Sequence, residues 1–109
     1  MKSTCVNYVT YLEKAEENKQ FIRQVFKQLS DKNIMGVKYA AFKMGENVFV
    51  HLAQFENEEA HEAFRKLPAF QAFQKNINDR LASKPLITSL KEIGAFSSVI
   101  PLISEGHQG

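Results

Sequence analysis

The apolar residues of this chain repeat with two different periods, and the order in which those periods alternate leaves few folds open to it. Residues 5–12 are rich in β-branched and aromatic types and predict a strand, with Val6, Tyr8, Thr10 and Leu12 on one face and Cys5, Asn7, Val9 and Tyr11 on the other. Residues 14–32 change to helical spacing. Phe21, Ile22, Val25, Phe26 and Leu29 fall on one side, and Glu13, Glu16 and Glu17 gather near the start, where the helix dipole favours them. Asn33 is a plausible left-handed stop and Gly36 the exit. Residues 36–55 return to a period of two and predict a hairpin turning at Gly45, Glu46 and Asn47. Its second arm is apolar on both faces, Val48, Val50 and Leu52 against Phe49, Ala53 and Phe55, as in a central strand. Residues 57–82 are helical again, capped by Asn57 with Glu58 and Glu59 in the first turn. The stripe of Ala60, Ala63, Phe64 and Leu67 is interrupted by Pro68 and resumes at Phe70, Phe73, Ile77 and Leu81, which predicts a two-part helix breaking near Leu67. Residues 85–96, opened by Pro85, predict the last strand.

The order is therefore β-α-β-β-α-β. This is an α+β, ferredoxin-like arrangement, with a four-stranded antiparallel sheet and two helices on one face. Two helices leave the opposite face bare. With apolar residues on all four strands, that face is expected to pair with the sheet of a second copy, making a homodimer. Residues 1–96 form the predicted domain. Residues 97–109 form a tail whose apolar patch, Val99, Ile100, Pro101, Leu102 and Ile103, could dock on the same chain or on a partner.

Composition narrows the function classes. With 109 residues, 44% hydrophobic and 24% charged, the chain fits one globular domain and not a disordered segment. A net charge of +2 is too even for an electrostatic nucleic-acid surface. One cysteine, Cys5, excludes an intrachain disulfide and a Cys-rich zinc site. No apolar run has the length of a signal peptide or a membrane span, so a soluble, cytoplasmic protein is expected, with neither nucleic acid nor membrane as partner.

Several side chains are candidates for chemistry. His51 lies within an apolar strand, where imidazole is uncommon without a partner. It is either a general base or anion-stabilising donor in a pocket, or a hydrogen-bonded core or interface histidine. A three-residue turn sets Ala41 opposite it with Tyr39 diagonal on the same face, whereas a two-residue turn sets Phe42 opposite. Asn7, Tyr8, Tyr11 and Tyr39 could line a cavity or pack with their polar tips at the rim, and Tyr8 and Tyr11 point to opposite faces. Phe64, Phe70 and Phe73 are either core or the aromatic wall of a cavity. His61 is expected to be solvated, and Arg80 either binds an anionic substrate or, as expected of an arginine at a helix end, is solvated. The spacing of His, Asp and Glu matches no metal site, and no phosphate loop or nucleophile motif is present.

Three segments carry a resemblance. They are the strand leading into an acidic amphipathic helix from Tyr8 to Leu29, the Phe-rich strand from Phe49 to Phe55, and the stretch from Glu58 to Phe73, with Ala60, Pro68, Ala69, Phe70 and Phe73 at its fixed points. Over roughly residues 5–96 the chain resembles the antibiotic biosynthesis monooxygenase (ABM) domain family of the dimeric α/β barrels. The resemblance implies oxidation of phenolic or quinol-like molecules by dioxygen with no cofactor, in a closed pocket with aromatic walls. It makes His51, Asn7 and Tyr39 the catalytic candidates and Tyr8, Phe64, Phe70 and Phe73 the substrate-binding ones. The chain departs from the family pattern at Phe64, where a His is frequent, and at Leu67, where a Ser is frequent. These departures support an alternative, a non-enzymatic homodimeric barrel that binds a small apolar ligand or serves only as a structural unit. The haem-degrading branch of the superfamily is disfavoured. Asn7 and Phe64 match it loosely, but Gln74 stands at the position of its axial His.

Overall fold

The computed structural model describes residues 1–98, so the apolar patch at 99–103 lies outside the described residues. Strands β1 (Lys2–Val9), β2 (Val37–Met44), β3 (Val48–Phe55) and β4 (Leu86–Leu90) form one antiparallel sheet in the order β2-β3-β1-β4. Helix α1 (Ala15–Asp31) connects β1 to the hairpin, and α2 (Glu58–Arg65) and α3 (Pro68–Gln74) connect it to β4. This is the α+β, ferredoxin-like arrangement expected from the sequence.

Local chemistry explains most boundaries. Asn33 does end α1 in the left-handed region, at φ 51°. Gly36 follows at φ 76°, and a Cβ there would lie 3.0 Å from that of Ala60, so both its conformation and the nearness of α2 call for glycine. The Asn57 side chain accepts a hydrogen bond from the Ala60 amide at 2.8 Å and caps α2. The second helical stretch breaks at Leu67, which is extended at ψ 127°, because the ring of Pro68 drives its predecessor out of helical geometry. Pro68 then serves in the first turn of α3, where no amide donor is needed.

Three boundaries differ from the sequence expectation. The first strand spans 2–9 and not 5–12, because its ladder with β3 ends where Val9 pairs with Val48, the first residue of that strand, and Thr10 bonds instead to Asn47 of the hairpin turn. The third helix stops at Gln74 and not near residue 82, since Lys75 is extended and Asn76 is left-handed at φ 60°. The last strand ends at Leu90 and not at residue 96, because Ser3–Leu90 is the final pair with β1, and Ile93 and Phe96 are exposed.

The core lies between the sheet and the helices. Tyr8, Phe49 and Phe55 from the sheet meet Ile22 and Val25 of α1 and Phe64 and Phe73 of α2 and α3. The opposite face carries Phe42, Leu52, Leu86 and Leu90, all exposed, so the bare apolar face is present as expected. No helix among the described residues is long and apolar enough to cross a membrane.

Candidate functional site

The hairpin register decides where the site forms. Met44 pairs with Val48 across a three-residue turn, which sets Ala41 opposite His51 and brings Tyr39 to the same face. Val6 is opposite His51 on the other side, so Tyr8 shares that face too. The histidine is then held from both ends. Its Nε2 lies 2.8 Å from the Tyr8 hydroxyl and its Nδ1 lies 2.7 Å from the Tyr39 hydroxyl. The Tyr8 hydroxyl in turn accepts from the Asn18 side-chain amide at 2.9 Å. The Asn18 carbonyl accepts from Arg80 Nε at 3.0 Å.

Arg80 corrects the sequence expectation of a solvated side chain. It is 2% exposed, with Nη2 donating to the Phe73 carbonyl at 2.6 Å and its guanidinium 4.4 Å from the Phe21 ring centre. Burial lowers its pKa, yet an arginine starts so high that it stays cationic. The same burial acts on its neighbours. It holds His51 down to about 4, pushes Tyr8 up to about 12 and raises Tyr39. At neutral pH the imidazole and both phenols are therefore uncharged.

Above this row of polar groups is a cavity of about 620 Å³ between the sheet and helices α2 and α3. Phe64, Phe70 and Phe73 wall it, Phe70 against Phe64 at 4.7 Å between ring centres and Phe73 against His51 at 5.6 Å. Ile87 and Ser89 of β4 border it on the far side. His61 corrects a second expectation. Its ring stacks on Phe55 at 4.5 Å and is half-buried at the cavity rim.

Of the residues singled out in the sequence, His51, Tyr39, Tyr8, Phe64, Phe70 and Phe73 all line this cavity. Asn7 does not join them. It pairs with Val50 and Leu86 on the opposite face, because alternate residues of a strand point to opposite sides and Tyr8 already faces the helices. Tyr11, 47% exposed, is likewise outside. Asn18 and Arg80 were not expected. Asn18 has a visible signal, since it falls on the same helical stripe as Ile22, Val25 and Leu29, where a polar residue needs a partner. Arg80 is set between Ile77 and Leu81 in the continuation of an apolar stripe.

The family model described as antibiotic biosynthesis monooxygenase matches residues 9–76, from the end of β1 to just beyond α3. The chain belongs to the antibiotic biosynthesis monooxygenase family. No curated protein matches it by sequence. Solved structures do match. A Nitrosomonas europaea protein named as a candidate antibiotic biosynthesis monooxygenase is similar at a TM-score of 0.73 and 14% identity, over 86% of this chain and 100% of that one. A protein of unknown function from the same organism gives 0.71 and 17% over 90% and 94%. The Mycobacterium tuberculosis protein Rv0793 gives 0.72 and 10% over 88% and 98%. At such identities the likeness is one of fold. In this ABM chain the family-variant positions are packing positions. Phe64 is buried edge-on against Tyr39, and Leu67 is buried at the break between the two helices.

Proposed function

We propose that this ABM chain is a cofactor-independent monooxygenase of the cytoplasm, working as a homodimer on a small hydrophobic phenol or quinol bound between sheet and helices. The observation that carries the reading is the aromatic-walled cavity with the tied Tyr39–His51 pair at its floor. Its volume suits a ligand of a few fused rings. Phe64, Phe70 and Phe73 would hold the rings and exclude water, and Tyr39 would stabilise the negative charge that develops on the substrate oxygen. The substrate anion then gives its electrons to dioxygen, one oxygen atom of which becomes a new ring carbonyl while the other leaves as water with the two hydrogens that the substrate gives up. His51 is neutral and bonded at both nitrogens, so its part is to orient Tyr39 and not to face the substrate alone. Oxygen-electrode assays over a panel of hydroquinones and anthrone-type phenols should show uptake, reduced about 100-fold in kcat/KM by Tyr39→Phe. Uptake no greater than in buffer would overturn the reading.

The occupation of both His51 nitrogens also favours a second reading, a barrel that binds such molecules without turning them over, because the imidazole at the floor of the cavity has no nitrogen free to act as a general base. In that case the panel binds and oxygen is not consumed.

The homodimer is inferred from the bare sheet face. Native mass spectrometry should give twice the 12.4 kDa of one chain. A Leu52→Glu, Leu86→Glu double variant, which puts charge on a central and an edge strand of that face, should give the single mass.

A further inference from the structure

We infer that the polar row under the cavity is a one-way chain of hydrogen-bond donors, started by Arg80 and ending in a Tyr39 hydroxyl hydrogen offered to a carbonyl or phenolate oxygen of the ligand. Asn18 and Arg80 are its positioning residues. The inference rests on the reading of the cavity as a ligand site and adds which oxygen chemistry it selects.

The direction follows from valence. Arginine is donor-only, so Arg80 Nε must meet the carbonyl end of Asn18 and not its amide nitrogen. That fixes the orientation of the Asn18 side chain, whose NH2 therefore points at the Tyr8 oxygen and donates to it. Tyr8 has one hydrogen left to place, and its remaining partner among the described residues is His51 Nε2. Either tautomer leaves one phenol hydrogen without a protein acceptor among the described residues, that of Tyr8 if Nε2 is protonated and that of Tyr39 if Nδ1 is, and Tyr8, at 3% exposed, is the more deeply buried side chain and the costlier to leave unpaired. Tyr8 thus donates to Nε2, and neutral His51 carries its proton on Nδ1. Nδ1–H donates to the Tyr39 oxygen. The Tyr39 hydrogen is then free to point elsewhere, and no other acceptor lies within hydrogen-bonding distance of it among the described residues. Tyr39 is half-buried and borders the cavity, so the hydrogen is available to whatever occupies it. The charge around the cavity agrees in sign. Among the described residues its charged lining is Lys2 and Arg65; Arg65 is paired with Glu58 and Glu62, so Lys2 sets the sign at the rim, which favours an oxygen acceptor over a cationic group.

The test reads the tautomer of His51 directly, in ligand-free protein at pH 8 with ¹⁵N-labelled imidazole. The expected wild-type spectrum shows protonated Nδ1 and bare Nε2. Asn18→Asp replaces the donor facing Tyr8 with an acceptor while still pairing Arg80. Tyr8 should then give its hydrogen to the carboxylate, His51 should switch to protonated Nε2, and Tyr39 should turn its hydrogen back to Nδ1. Binding of 4-nitrophenol, followed by the absorbance of its phenolate, should weaken at least tenfold in that variant. Protonated Nε2 in the wild type, or the same tautomer in both proteins, would overturn the inference. The wild-type spectrum decides it even if Asn18→Asp fails to fold. Because no turnover is measured, the outcome is separate from that of the oxygen-uptake assay.

Discussion

Arg80→Ala should lower the folding stability of this protein by about 4 kcal/mol, as read from urea unfolding at fixed protein concentration. The side chain is buried, lies against the rings of Phe21 and Phe73, and is the hydrogen-bond donor to both the Asn18 carbonyl and the Phe73 backbone carbonyl. Truncation opens a cavity and strands two acceptors out of reach of water, and those losses add. Arg80→Met separates them. It refills most of the space, carries no charge to desolvate and leaves only the two acceptors unpaired, so about 2 kcal/mol is expected. Equal losses in the two variants would show that packing around the guanidinium contributes nothing. A neutral Arg80→Met would show the same of its hydrogen bonds.

Stability should also fall by about 3 kcal/mol as pH is lowered from 6.5 to 4, with His51 as the cause. In the unfolded chain this imidazole takes up a proton near pH 6.5. In the folded protein, burial holds it neutral down to about 4. Between those values the unfolded state binds more protons, so the contribution is complete above pH 6.5 and is lost on the way down to 4. Urea midpoints measured at half-unit pH intervals should show this slope, and His51→Gln should flatten it. His61, the other described histidine with a lowered pKa, sits at the rim, so His61→Gln should leave most of the slope in place. Glu16 and Glu62, lowered by their bonds to Gln20 and Arg65, act only below about pH 4.5 and at the surface, where such pairs are weak. A slope that survives His51→Gln would mean that the histidine is not the titrating group.

How much of this was legible in the sequence depends on how local the cause is. The central hairpin was read almost to the residue, because its alternation and the Gly45–Asn47 turn lie within one short stretch. The break at Leu67 was legible for the same reason, as proline acts on its immediate predecessor. The outer strands were misplaced at their ends. Their limits are set by where the neighbouring strand stops, which is information held tens of residues away. For the cavity, the aromatic residues and His51 were found by type, and the register that unites His51 with Tyr39 was one of two alternatives left open. Asn7 resembles them in residue type but lies on the other face, since nothing in its own strand says which face the helices cover. Asn18 and Arg80 stand 62 positions apart, and although each interrupts an apolar stripe, neither stripe names the other as its partner. Their burial follows from α1 and the segment after α3 meeting under the sheet, which no spacing rule expresses.

Strand β4 has a consequence for how the molecule works as a machine. Among the described residues it pairs with β1 alone, and all five of its residues are exposed. Ile87 and Ser89 look into the cavity, while Leu86, Thr88 and Leu90 look out from the bare face. A ribbon this thin has one backbone for two surfaces, so any tilt or shift of it moves both. An occupant of the outer side would therefore act on the inner wall, and a guest pressing on the inner wall would act on the outer side. By thermodynamic reciprocity the two occupancies then favour or oppose each other by the same factor.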